Sequence, residues 1–298
     1  MITVLGSTNL DLIGTVSRIP KPGETVPGDR FSTAAGGKGA NQALAARRAG
    51  AEVRMFAAAG TDSFADEALQ LLRADGVDLS RVRIAEGATG IAMIFVDTEG
   101  ENVIAILPGA NGTMAEADAE AALAGLGIGS VLMLQQEIPQ AATERALELA
   151  RAQGVVSILN TAPFLPTTAA VAERASIVIA NETEFQLLSG AGLDRLDAAM
   201  RDWAKAQNQT VIVTLGPDGA RAATPERSFA VPALKVEPVD TVGAGDTFCG
   251  YLAAGLDRGL DLEEAMRQAA VAASLACLKP GAQPAVPFAA EVDKARGI

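Results

Sequence analysis

The stretch Asp240-Thr241-Val242-Gly243-Ala244-Gly245-Asp246 runs three small residues directly into the helical pattern Thr247-Phe248-Cys249-Gly250-Tyr251-Leu252. Free amides at a helix start attract anions, and glycine lets the backbone approach a phosphate closely. Asp246 stands beside that anion site. A carboxylate there is repelled by phosphate unless it has a task, such as taking a proton from an attacking hydroxyl. Helix capping is the other reading, because Asp caps well, and the short motif alone leaves both open.

Outward from this stretch, short apolar runs rich in β-branched residues lie at 2–5, 53–58, 130–134, 155–159, 177–179 and 211–215, between Ala- and Leu-rich helical patterns. That alternation predicts an α/β fold with a largely parallel sheet. Ligands of such folds sit at the carboxyl ends of the strands, which directs attention to Gly6 to Asn9, Gln135 to Glu137, Asn160, Asn181 and Gly216. Two stretches break the rhythm. Residues 15–35 carry Pro20, Pro22, Gly23, Pro27 and Gly28 between short extended pieces, and 91–107 reads as a hairpin with its turn at 97–101. Together they predict a small β-sheet standing off a single domain of residues 1–298, as a lid or an edge extension, with segments at about 13–35 and 88–107. No repeat or low-complexity linker suggests a second domain.

Composition narrows the chemistry. With 298 residues and 49% hydrophobic content the chain can bury a large core. Its net charge of −12, with no basic run and 4% aromatics, argues against a nucleic-acid partner. Histidine is absent. That removes Ser-His-Asp and Cys-His hydrolases and the usual zinc sites, so a general base must be Asp, Glu, Lys or Tyr. Cys249 and Cys277 are the only cysteines, both in apolar helical patterns, and read as buried core thiols. No apolar run approaches the roughly 18 residues of a membrane span, and Met1-Ile2-Thr3-Val4-Leu5 enters a strand pattern at once, so the expected location is the cytoplasm.

Further motifs carry polar residues. Gly36-Gly37-Lys38-Gly39-Ala40-Asn41 is a second glycine turn into a helix, but Gly39 and Ala40 follow Lys38, so the Walker spacing fails. Lys38 and Asn41 can donate to the hydroxyls of a polyol, or the turn is a plain helix entry. Asn9 and Asp11, separated by Leu10, share one side of an extended segment and suit vicinal hydroxyls. Asn181-Glu182-Thr183-Glu184 opens a helix, where its acidic residues suit the dipole. Its other reading is a phosphate contact from Asn181 and a water-mediated link from Glu184 to Mg²⁺. Thr214-Leu215-Gly216-Pro217-Asp218-Gly219 ends a strand and either holds a nucleotide or simply turns.

Taken with Gly6-Ser7-Thr8-Asn9-Leu10-Asp11, Pro22-Gly23-Glu24-Thr25 and Gly281-Ala282-Gln283-Pro284, the order and spacing of these motifs resemble the ribokinase branch of the ribokinase-like carbohydrate kinases along nearly the whole chain. The resemblance implies a three-layer α/β/α fold with a mostly parallel central sheet and a small β-lid that pairs two subunits. It also implies ATP-dependent phosphorylation of ribose at its 5-hydroxyl, with Asp246 as catalytic base and the amides of Gly243, Ala244 and Gly245 as anion hole. By the same resemblance Asn9, Asp11, Gly37, Lys38, Gly39, Asn41 and Glu137 bind the sugar. Asn181, Thr214, Gly216, Gly219 and Gly245 bind ATP, and Glu184 reaches Mg²⁺ through water. A monovalent cation, K⁺, is expected at Asp240, Val242, Ala276, Lys279 and Gly281. Ala285 departs from the family pattern, which commonly places a serine there as a side-chain ligand of the cation. Fructose, deoxyribose or a nucleoside such as adenosine as acceptor, and a non-catalytic sugar sensor, are the competing readings.

Overall fold

The computed structural model describes residues 1–297. Its thirteen strands, in chain order, are β1 (Ile2–Leu5), β2 (Asn9–Val16), β3 (Gly28–Gly36), β4 (Val53–Ala59), β5 (Asp78–Ile84), β6 (Gly90–Val96), β7 (Asn102–Leu107), β8 (Val131–Leu134), β9 (Val156–Asn160), β10 (Ile177–Asn181), β11 (Thr210–Thr214), β12 (Ala220–Ala223) and β13 (Ser228–Val231). Nine of them form one sheet in the order β13-β12-β11-β10-β9-β8-β1-β4-β5. The pairs from β11 through to β5 are parallel, and only the β11–β12 and β12–β13 pairs are antiparallel. The remaining four strands form a separate sheet, β3-β2-β6-β7.

Both faces of the large sheet are covered, which is why its strands read as continuous apolar runs rather than alternating ones. Successive side chains of a strand point to opposite faces. Val131 and Met133 accordingly join Ala43, Phe248, Leu252 and Met266 in one core, whereas Leu132 and Leu134 join Leu123, Leu147, Phe185 and Met200 in the other. The chain leaves β1 toward β4 on one side and later fills β8 on the other. The strand order therefore reverses at β1, and a crevice opens at the carboxyl ends there.

Six strands of the large sheet lie where the apolar runs predict them. The three others, β5, β12 and β13, were not legible. Edge strand β5 is largely exposed, and β12 and β13 are only four residues each, β12 being Ala-rich, so neither hydrophobicity nor β-propensity marks them. The expected hairpin is β6 and β7, with Asp97 and Glu101 closing its turn. The cysteines divide. Cys249 is buried inside helix Ala244–Asp257, but Cys277 only ends helix Leu262–Ala276 and is partly exposed, which corrects its reading as a core thiol. Among the described residues no helix is long and apolar enough to cross a membrane.

One close packing positions the site. Helices Lys38–Arg48 and Ala244–Asp257 meet at Gly250, where a β-carbon would fall 2.5 Å from Ala45 Cβ and 2.6 Å from Gln42 O. Only glycine permits that approach. It brings Asn41 and Gln42, at the start of the first helix, against Asp246, one turn before Gly250 in the second.

Candidate active site

Helix Ala244–Asp257 begins after Gly243, whose left-handed φ of 76° and missing β-carbon both matter, since a β-carbon there would lie 2.8 Å from Ala282. Asp246, 7% exposed, sits in the first turn, and no side chain caps this helix. Its carboxylate is turned inward instead. Oδ2 accepts from Asn41 Nδ2 and Oδ1 from Gln42 Nε2, each at 2.9 Å. The capping reading is therefore not what the geometry supports. Ala244 N donates weakly to Thr241 O at 3.3 Å, while the next first-turn amides have no intrahelical partner to donate to.

The glycine turn and the end of β1 interlock on the sugar side expected from the sequence. Glu137 Oε2 accepts from Ser7 Oγ at 2.5 Å and from Lys38 N at 2.9 Å, while Gly39 N donates to Ser7 Oγ at 3.3 Å. Gly37, with φ 88°, starts the helix. Asn9 is buried, and its Oδ1 accepts from Asn111 Nδ2 at 2.8 Å. Asn111 also pairs with the backbone of Thr8 in both directions at 3.0 Å, so this residue, in a short helical turn with no motif around it, fixes the Thr8-Asn9 turn. Sequence reasoning missed it.

Charge is concentrated here. Burial first, then the like charges of Glu137 and Asp246, push the Asp11 carboxyl up to about 7, against a smaller opposite effect of Lys38. The negative charge of Asp246 holds the buried Lys38 ammonium above its ordinary value, burial notwithstanding. Three carboxyl groups thus share one ammonium, and among the described residues Lys38 makes no ion pair within 4.0 Å.

A cleft of about 600 Å³ adjoins this cluster. Thr214, Gly216, Gly219 and Gly245, four of the five residues expected at ATP, line it, together with Leu234, Val236, Phe248 and Cys277, which the sequence did not assign to the nucleotide. Asn181 is absent from that lining. Its side chain accepts from Glu184 N at 2.8 Å and its own amide donates to Glu184 Oε2 at 3.0 Å, a reciprocal cap in keeping with the helix-start reading of this segment rather than with the phosphate contact. Glu184 Oε2 also accepts from Thr161 Oγ1 at 2.9 Å. Its Oε1 has no protein partner among the described residues, which suits an outer-sphere contact to a hydrated metal.

Asp240 ties two loops together, Oδ1 accepting from Val242 N at 3.0 Å and Oδ2 from Gly281 N at 2.8 Å. Lys279 N reaches Ala276 O at only 3.4 Å, leaving that carbonyl weakly engaged, and Ala285 is buried. A weakly engaged backbone carbonyl is a donor of the kind a hard cation takes. Among the described residues no group of three His, Cys, Asp or Glu could hold a metal by side chains alone.

The start of one helix thus lies between the strand-end residues expected at the sugar and the cleft lined by residues expected at ATP. A family model described as pfkB family carbohydrate kinase matches residues 1–289, and the chain belongs to that family. It is 38% identical to a ribokinase of Schizosaccharomyces pombe, over 98% of this chain and 96% of the relative. It is 34% identical to a deoxyribokinase of Salmonella typhi, over 96% and 95%. The solved structure of Arabidopsis thaliana ribokinase complexed with ribose and ATP matches with a TM-score of 0.90 at 30% identity, covering 100% of this chain and 98% of that one.

Proposed function

We propose that the chain phosphorylates D-ribose on its 5-hydroxyl, giving ribose 5-phosphate and ADP. The observation that carries the mechanism is the inward, doubly held carboxylate of Asp246, next in sequence to Gly245 of the nucleotide cleft and bonded to Asn41 of the sugar-side turn. Asn9, Asp11, Gly37, Lys38, Gly39, Asn41 and Glu137 hold the sugar. Asp246 accepts the proton of the 5-hydroxyl as that oxygen attacks the γ-phosphorus in line, the bond from that phosphorus to the oxygen bridging to the β-phosphorus breaks, and ADP leaves with the bridging oxygen and the electron pair. The amides of residues 243–245 receive the charge that develops on the transferring group, and Lys38 adds a fixed positive charge. Thr214, Gly216 and Gly219 support the nucleotide, with Asn181 acting through the helix start that it caps. Glu184 would hold, through water, the Mg²⁺ that screens the phosphates. The cation expected at Asp240, Val242, Ala276, Lys279 and Gly281 would steady the loop leading into the anion hole, and K⁺ is the ion expected there. A water in place of the side-chain oxygen missing at Ala285 would complete it.

The four-stranded sheet is read as a lid over the sugar and as the contact between two copies of the chain. Its Phe31 is 69% exposed and its Ile104 52%, and an exposed apolar sheet with free edges invites a partner. A second acceptor, 2-deoxyribose, is favoured by the likeness to a deoxyribokinase. Measuring ADP release with ribose, deoxyribose, fructose and adenosine, each with and without K⁺, tests both readings. Release with none of these sugars would overturn the assignment, and a preference for deoxyribose by kcat/KM would replace ribose by it.

A further inference from the structure

Two strand-end residues singled out by their position, Gln135 after β8 and Asn160 at the end of β9, take no part in the mechanism above. Both converge on Gln42, which is 1% exposed. Gln42 Nε2 donates to Asp246 Oδ1 at 2.9 Å and to Asn160 Oδ1 at 3.3 Å, while its Oε1 accepts from Gln135 Nε2 at 2.7 Å. Asn160 Nδ2 donates to Ile179 O at 3.3 Å. The orientation of the whole chain of amides is dictated by chemistry. An ionised carboxylate only accepts, so Gln42 must turn its NH₂ toward Asp246, its oxygen then faces Gln135, and Gln135 must present its own NH₂.

Each polar atom of the Gln42 amide is engaged with protein, so it has nothing left to offer a sugar or a nucleotide. Gln135 is buried and its Oε1 has no partner. Its amide is thus kept in the interior for the one bond it gives Gln42, and leaving its other half unpaired is unfavourable unless that bond has a use. We infer that Gln42, clamped by Gln135 and Asn160, is a positioning residue. It fixes the plane of the Asp246 carboxylate, so that an unused lone pair faces the incoming hydroxyl rather than rotating away from it. This rests on the reading of Asp246 as the base.

The test is a double-mutant cycle on the full chain, with turnover followed by ADP release at saturating ribose and ATP and folding followed by thermal melting. Gln42→Leu should lower kcat about 10- to 100-fold, the size of one lost hydrogen bond to a charged group, with KM for both substrates within about threefold. In an Asp246→Asn background the same change should lower the residual rate by less than about twofold, because residues acting as a unit are not additive. The same loss in both backgrounds, or a rise in KM with kcat intact, would overturn the inference. Near-normal turnover of Asp246→Asn alone would instead overturn the base itself, and the two failures are distinct. Gln42→Met keeps the size of the side chain but has no group to donate to Asp246. It carries the test where the leucine variant does not fold, and a folded Gln42→Met protein with ordinary kcat would contradict the inference.

Discussion

Asn41 donates its Nδ2–H to Asp246 Oδ2 at 2.9 Å although the two residues lie 205 positions apart in the chain. The bond joins the turn assigned to the sugar with the helix start assigned to phosphate. It exists because two helices touch backbone to backbone.

That contact makes Gly250→Ala a sharp probe. The added methyl would fall 2.5 Å from Ala45 Cβ and 2.6 Å from Gln42 O, so the helices must part. Overpacking of this kind costs about 1–3 kcal/mol, and each kcal/mol lowers the melting temperature of a chain this size by roughly 2–4 °C. Thermal melting should show that loss, and ADP release a lower kcat from the displaced Asn41 and Gln42. Wild-type values of both would mean that the close approach does not govern the site.

Asp11 should make both stability and sugar affinity depend on pH. Its carboxyl titrates near 7 in the folded chain against an ordinary value of 3.8, so between these values the folded state holds a proton that the unfolded state has released. Stability must then fall as pH rises across that window. Asp11→Asn abolishes this, so the ligand-free variant should melt above the parent at pH 8, with the gap closing toward pH 4. Ribose hydroxyls donate best to the ionised form, so KM for ribose in the parent should rise as pH drops below 7. Melting and KM profiles that run parallel in parent and variant would remove Asp11 from the cluster.

The exposed face of the small sheet should be where copies of the chain associate. Ile104→Glu puts a charge on it, and sedimentation should then give a monomer where the parent gives a dimer. Identical sedimentation of the two proteins would move the interface elsewhere.

How much of this was legible in the sequence follows from which signals are local. The motifs at Asp240 to Asp246 and Gly36 to Asn41, and the strand ends carrying Gln135 and Glu137, stand out because glycine spacing and apolar runs are contiguous. Edge strand β5 carries no such run, and the short β12 and β13 draw their stability from the sheet around them. Asn111 and Gln42 were passed over for another reason. Each acts by holding a different residue, and a bond such as that from Gln42 to Asp246, across 204 positions, leaves no local trace. Asp246 itself was ambiguous between cap and base until its side chain was seen turned away from the helix end. The opposite happened at Asn181, where the reciprocal bonds with Glu184 make capping its structural role.

In the proposed reaction Asp246 takes the proton of the sugar hydroxyl. Steady-state ADP release by Asp246→Asn, measured beside its affinities for ribose and ATP, puts that role to the test. Loss of a general base lowers the rate about 10²–10⁴-fold, so kcat should fall by that factor while both ligands bind within about threefold of the parent. Turnover within a few-fold of the parent would contradict it.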